Sequence, residues 1–273
     1  MMSLISEIFS YTFIINAFLA GSLIAVCSAL LGVPLVLKRY SMIGDGLSHV
    51  AFGSMAIAMA LNASPLAISI PITVLSAFLL LRVSSNTNIK GDSLVALIST
   101  SAMALGILIT SMTSGLNTDV TAFLFGSILS IGKTDVIISL VLAIFVVGFF
   151  VIFYNSIFSV TFDETFSNAT GIKSSLYNSL IAVLTALTVV IGMRLMGAMM
   201  ISSLIIFPAL SAMRIFKSYK SVTLCATIVS IICFFLGIVL SFVISSPAGA
   251  TIVVINLIIF MIFALIEKIK CIF

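Results

Sequence analysis

A chain of 273 residues that is 62% hydrophobic and only 7% charged has too little polar surface to clothe a water-soluble globule. Its net charge of +4 would suit nucleic acid in a soluble protein, but here the Lys and Arg residues sit between apolar runs and read as loop anchors at a membrane surface. Long uninterrupted runs, rather than alternation over roughly 10 residues, favour helices over an outer-membrane barrel. The expectation is an all-α polytopic membrane protein, with residues 1–273 forming a single transmembrane domain.

Residues 1–11 show no basic start and no small-residue cleavage site, so no removable signal peptide is expected. Apolar segments follow at 13–37, 42–61, 65–81, 94–112, 136–153, 176–193, 195–212, 222–244 and 250–266. Each approaches the roughly 20 residues that cross about 30 Å of hydrocarbon. The weakest boundary lies between the sixth and seventh, where Arg194 stands in almost no loop between Gly192 and Gly197; one kinked element there gives eight spans instead of nine. With nine spans and the N-terminus outside, Lys38, Arg39, Arg82, Lys90, Lys173, Arg214, Lys217, Lys220, Lys268 and Lys270 fall on the cytoplasmic side, and Lys133 does not.

Between the fourth and fifth spans, residues 117–131 are too short to cross, and Thr118 or Asp119 is placed to cap a helix lying at the outer face or dipping partway in. The longest polar interruption, 154–175, carries Asp163, Glu164 and Lys173 on the cytoplasmic side and is large enough to dock a partner. Small residues recur at helix-packing spacing, as in Gly21 with Ala25 and Gly53 with Ile57 and Ala60, which predicts close backbone approach in a compact bundle. Cys27, Cys225, Cys233 and Cys271 have no CxxC spacing and read as small membrane-core side chains.

Chemistry concentrates in residues 41–50, SMIGDGLSHV, which contain a carboxylate and the chain's one imidazole. On a helix, Asp45 and His49 stand at i and i+4 and face the same way. One reading is a polar helix start near the interface, with Asp45 favouring the positive end of the helix dipole. The other is a lining for a path, because His49 falls a turn deeper and is followed by an apolar run, where ionisable groups are costly and pair with one another. A carboxylate oxygen and a neutral imidazole nitrogen suit divalent zinc, manganese or iron. One pair is too few ligands, whereas two copies across a two-fold axis supply four.

Met196, Met199, Met200, Ser202 and Ser203 in the seventh segment stand either along a cation path or in the packing. Pro208 interrupts the helical ladder and is a candidate gate or kink. No GxxxxGK[ST], HExxH or GxSxG occurs, so the chain is expected not to be an enzyme, and any energy for pumping must come from a partner or an ion gradient.

Several stretches resemble the permease subunit of zinc, manganese and iron ABC importers. These are LGVPLVLKRYSMIGDGLSHVAFG at 31–53, LFGSIL at 124–129, FDETFSNATGI at 162–172, MGAMMISSLIIFPALSAMR at 196–214 and SPAGAT at 246–251. They run in register over residues 13–266. The resemblance implies a bundle similar to the vitamin and siderophore importer permeases. It also implies a homodimer in the prokaryotic cytoplasmic membrane, two ABC ATPase subunits on its cytoplasmic side, an extracytoplasmic metal-binding protein, alternating access, and no permanently bound cofactor. Carried over, Asp45 and His49 line the path, and Phe162, Asp163, Glu164, Ala169 and Gly171 belong to an ATPase-coupling segment within 154–175. The chain departs from the pattern at Asn168, Thr170, Ser211 and Met213. Import of a divalent transition metal driven by a partner's ATP hydrolysis is thus the leading expectation, against a gradient-driven carrier or channel and a non-transporting membrane scaffold.

Overall fold

A computed structural model describes residues 12–86, 91–113, 126 and 131–272. The regular structure among them is helical throughout: α1 (Thr12–Leu37), α2 (Ile43–Ala60), α3 (Pro65–Asn86), α4 (Gly91–Met112), α5 (Lys133–Ile152), α6 (Tyr154–Phe162), α7 (Glu164–Ala169), α8 (Ser174–Met196), α9 (Ala198–Ile215), α10 (Tyr219–Ile244) and α11 (Ala248–Ile272). The 117–131 stretch and the 124–129 motif lie outside the described residues, apart from Gly126 and Ile131.

All nine apolar segments form helices, as their length and composition require. Seven of them, α1, α4, α5 and α8 to α11, are long and apolar enough to cross a membrane. The other two are short of that for separate reasons. Asp45 and His49 sit in the first two turns of the 18-residue α2, and the apolar run of α3, 65–81, is stopped by Arg82.

The doubtful boundary resolves into two helices. Gly197 alone separates α8 from α9, with φ 89° and ψ 156°, a backbone conformation that L side chains rarely adopt. Apolar counting stopped the sixth segment short of Arg194, yet α8 runs on to Met196 because the guanidinium has a partner. It lies 3.4 Å from Asp135 Oδ1 at the start of α5. A charge next to the membrane need not end a helix once it is paired. Pro208 is buried inside α9, which continues from Ala198 to Ile215; the break in the ladder of this region falls at Gly197.

The core is organised around α1, which packs against α5, α8, α9 and α10, while α2 packs against α3 and α4. In lipid, apolar burial does not drive helices together, so close approach has to come from small residues. At Gly53 a Cβ would stand 2.5 Å from the Ala102 carbonyl oxygen of α4, so α2 and α4 meet backbone to backbone there. The periphery is far more open: α4 exposes Leu97, Leu105, Ile107, Leu108 and Met112, whereas α1 buries most of its apolar side chains. Cys27 and Cys233 are buried and Cys225 half-buried, all three as free thiols.

Residues 154–175 are ordered rather than loop-like, forming the nine-residue α6 and the six-residue α7. Asp163 ends α6 and caps α7, its Oδ1 accepting the Phe166 N–H at 2.9 Å.

Candidate functional site

Helix α2 begins directly after a tight turn, with the Ile43 N–H donating to the Tyr40 carbonyl and the Gly46 N–H to that of Met42. Asp45 therefore lies in the first helical turn, where the dipole favours a carboxylate. One turn on, His49 Nε2 stands 3.7 Å from Asp45 Oδ2. That is beyond a good hydrogen bond but within reach of one shared ion. Their side chains are 19% exposed for His49 and 42% for Asp45, so the imidazole is walled in while the carboxylate opens outward.

A second helix closes on the pair. The Ser202 hydroxyl of α9, which points at the Ala198 carbonyl, also lies 3.4 Å from Asp45 Oδ1. Of the other soft or polar residues of that segment, Met196 and Met200 are buried in the core. Ser203 is tied to the Met200 carbonyl at 2.9 Å, and Met199 is exposed. Among the described residues no group of three His, Cys, Asp or Glu side chains comes together. One chain thus offers a carboxylate, an imidazole and a weakly placed hydroxyl.

The proposed coupling residues form a separate site. Phe162 and Phe166 are exposed, with Phe162 in a ring cluster that includes Phe158, 4.9 Å away between centroids, and Tyr219 of α10 at 6.1 Å. Ala169 ends α7 and Gly171 follows it at φ +86°. Ser167 holds α7 back on α6 through a 2.7 Å hydroxyl contact with Ser159.

Glu164 turns the other way, and here the structure adds residues that the linear sequence did not mark. Lys38 Nζ donates to Glu164 Oε1 at 2.7 Å and to Asn178 Oδ1, and Asn178 Nδ2 donates to the same glutamate oxygen at 3.0 Å. Burial pushes the Lys38 ammonium below its ordinary pKa even though Glu164 supports its charge. Burial pushes the Glu164 carboxyl upward, but the hydrogen bonds from Lys38 and Asn178 outweigh it and leave the group below the usual range. Lys38, Glu164 and Asn178 also line a cavity of about 440 Å³ with Arg82, Tyr40 and Phe78, and neither Asp45 nor His49 reaches it.

Over most of its length the chain is similar to membrane proteins of metal transport systems. The chain is 31% identical over 260 residues to a "probable metal transport system membrane protein" of Thermotoga maritima, covering 95% of this chain and 92% of that one. It is 29% identical to the high-affinity zinc uptake system membrane protein ZnuB of Haemophilus influenzae, over 87% and 91% of the two chains. The manganese import system permease protein ScaB of Streptococcus gordonii is 27% identical, over 94% and 92%. Among solved structures, PsaBC from Streptococcus pneumoniae in complex with Fab superposes with a TM-score of 0.85 at 26% identity, over 96% and 95% of the chains. The model of the ABC 3 transport family matches residues 10–267, which take in α1 to α10, most of α11, the Asp45–His49 pair and the α6–α7 segment. With that match over nearly its whole length, the chain is a multi-pass membrane protein that belongs to the ABC 3 transport family.

Proposed function

We propose that this chain is the permease subunit of an ATP-driven importer that carries a divalent transition metal ion into the cytoplasm by alternating access. It works as a homodimer, with an ABC ATPase on the cytoplasmic side and an extracytoplasmic metal-binding protein as donor. The observation that carries the reading is the Asp45–His49 pair, 3.7 Å apart on α2 and touched by Ser202 of α9. A carboxylate and an imidazole bind zinc, manganese or iron, and the relatives named for zinc and manganese support that class of cargo.

So few ligands suit a conductor. A path must bind its ion well enough to admit it and weakly enough to release it, and a complete tetrahedral cage would trap zinc instead. Closure of the ATPase pair pushes on the α6–α7 segment, and the bundle tilts from outward to inward opening. The chain itself has no nucleotide-hydrolysis motif, so hydrolysis belongs to the partner. A gradient-driven carrier would need further membrane-embedded ionisable groups for coupling, and the candidate Arg194 is engaged by Asp135.

The test is uptake of radioactive zinc and manganese by cells that express Asp45→Ala, His49→Ala or both, with membrane levels of the protein measured in parallel. Uptake is expected to fall at least tenfold, in line with the loss of a ligand group. Unchanged uptake at normal protein levels would refute the assignment of the path. Metal transport by the purified chain without any ATPase would refute the ATP-driven reading.

A further inference from the structure

Lys38 reads in the sequence as one more cytoplasmic anchor, but such anchors are solvated and this one is not. Its side chain is 10% exposed, and its ammonium is shared between Glu164 of α7 and Asn178 of α8. Asn178 completes the ring by donating to the same Glu164 oxygen. Three parts of the chain, 126 and 140 residues apart from Lys38 in sequence, are thereby closed around one charge.

Both ends of this link are mechanically short. On one side, Lys38 belongs to a turn stitched to α1 by N–H donations from Lys38 to Pro34, Arg39 to Val36 and Tyr40 to Leu35, with Arg39 held at φ +63°. The same turn runs by hydrogen bonds into α2, from Ile43 to Tyr40 and from Gly46 to Met42. Asp45 lies within that first turn of α2. On the other side, Glu164 is the first residue of α7, which Asp163 caps and whose Phe166 is exposed next to it. A displacement of α7 therefore reaches the start of α2 through a single salt bridge and one rigid turn.

We propose that Lys38 is a positioning residue that transmits movement of the α6–α7 segment to α2, and through it to the Asp45 carboxylate, so that the ion path opens in step with the ATPase. This rests on the reading of the chain as an ATP-driven permease. Lys38 need not touch the ion. Its task is to make α2 follow α7, and breaking the bridge leaves each able to move alone.

The experiment uses the whole importer, this chain with its cognate ATPase and binding protein, in vesicles of phosphatidylethanolamine and phosphatidylglycerol. Zinc uptake and ATP hydrolysis are read together. For Lys38→Met, hydrolysis stays within about twofold of wild type while ions moved per ATP fall about tenfold, a loss within the usual range of coupling between sites; Glu164→Gln, which lies in the coupling segment, lowers the same ratio. Lys38→Arg, and the exchange of Lys38→Glu with Glu164→Lys, bring the ratio back. Glu164→Gln leaves the buried Lys38 ammonium without its carboxylate and so endangers folding, whereas Lys38→Met leaves a half-exposed Glu164. The double neutral variant Lys38→Met with Glu164→Gln removes that problem, and it too is expected to be uncoupled. A wild-type ratio in Lys38→Met or in the double neutral variant overturns the proposal, as does a proportional fall of uptake and hydrolysis in all variants, which a merely structural bridge would give. Wild-type uptake that ignores ATP overturns the permease reading as well, so the two failures are told apart.

Discussion

Gly32 offers the sharpest test of how the path is held together. It lies on α1 where α9 crosses, and a Cβ built on it would stand 2.1 Å from the Ile205 carbonyl oxygen. Ordinary contact begins near 3.4 Å, so Gly32→Ala requires the two backbones to separate by about 1.3 Å, the difference between the two distances. No side-chain rotation relieves this, because the obstacle is a carbonyl of a buried helix. Overpacking of this kind costs about 1–3 kcal/mol. For a chain of this size that corresponds to a fall in Tm of roughly 2–12 °C. Gly148 in α5 is the internal control, since nothing lies within 4 Å of its Cβ position. Gly148→Ala is expected to raise stability by about 0.5–1 kcal/mol through helix propensity alone. The chain has no tryptophan to report unfolding, but Cys27 and Cys233 are fully buried free thiols, so a thiol-reactive fluorogenic maleimide in detergent reads the transition. Transport adds a second readout, because Ser202 sits one turn before Ile205 and contacts Asp45. A Gly32→Ala protein that melts with or above Gly148→Ala would refute the reasoning.

Two further predictions concern the ends of the bundle. Because Glu164 titrates below its ordinary value in the folded chain, its contribution is complete above the unfolded carboxyl pKa and is lost as pH falls through the lower, folded one. Acidification through pH 4.5 and below should therefore lower the Tm of wild type more than that of Glu164→Gln, and equal slopes would contradict a lowered Glu164 pKa. At the opposite side of the bundle, Asp135 receives both the Gly132 N–H at 3.0 Å and the Arg194 guanidinium. Asp135→Ala should cost about 1–2 kcal/mol as a lost helix cap. Arg194→Ala, whose side chain is 44% exposed, should cost under about 1 kcal/mol. Chemical denaturation of both variants orders them.

The parts of this molecule that were legible in its sequence are those governed by local hydrophobicity. Nine apolar runs became nine helices because lipid obliges a spanning segment to satisfy its backbone internally, which depends on nothing distant. The i, i+4 spacing of Asp45 and His49 was likewise a local matter. The break at Gly197 was visible only as an uncertainty, because a single glycine at positive φ and a kinked continuous helix leave the same apolar pattern. Arg194 looked like a boundary because its partner Asp135 lies in another helix. The region 154–175 read as an interruption because helices of nine and six residues are too short to show a 3.6 period. Nothing local marked Asn178, an amide inside an apolar segment, or Lys38, one of several basic residues at loop positions. Their meaning comes from contacts across more than 100 residues.

The two-copy argument for the ion path can be tested by mixing subunits. One chain supplies a carboxylate, an imidazole and a hydroxyl, and among the described residues no third strong ligand joins them. Zinc in a protein site takes about four ligands, so two chains sharing one path would meet the number that one alone does not. In that case a dimer with one chain carrying Asp45→Ala and His49→Ala is as inactive as a dimer with two. Equal co-expression of wild type and this double variant, assembling at random, then leaves about a quarter of the dimers intact, whereas a separate path in each chain leaves about half of the total uptake. Differently tagged chains allow the expression ratio and the mixing to be checked before uptake is compared. Uptake near one half would end the shared-path argument and leave each chain to complete its coordination from water or from groups on the delivering protein.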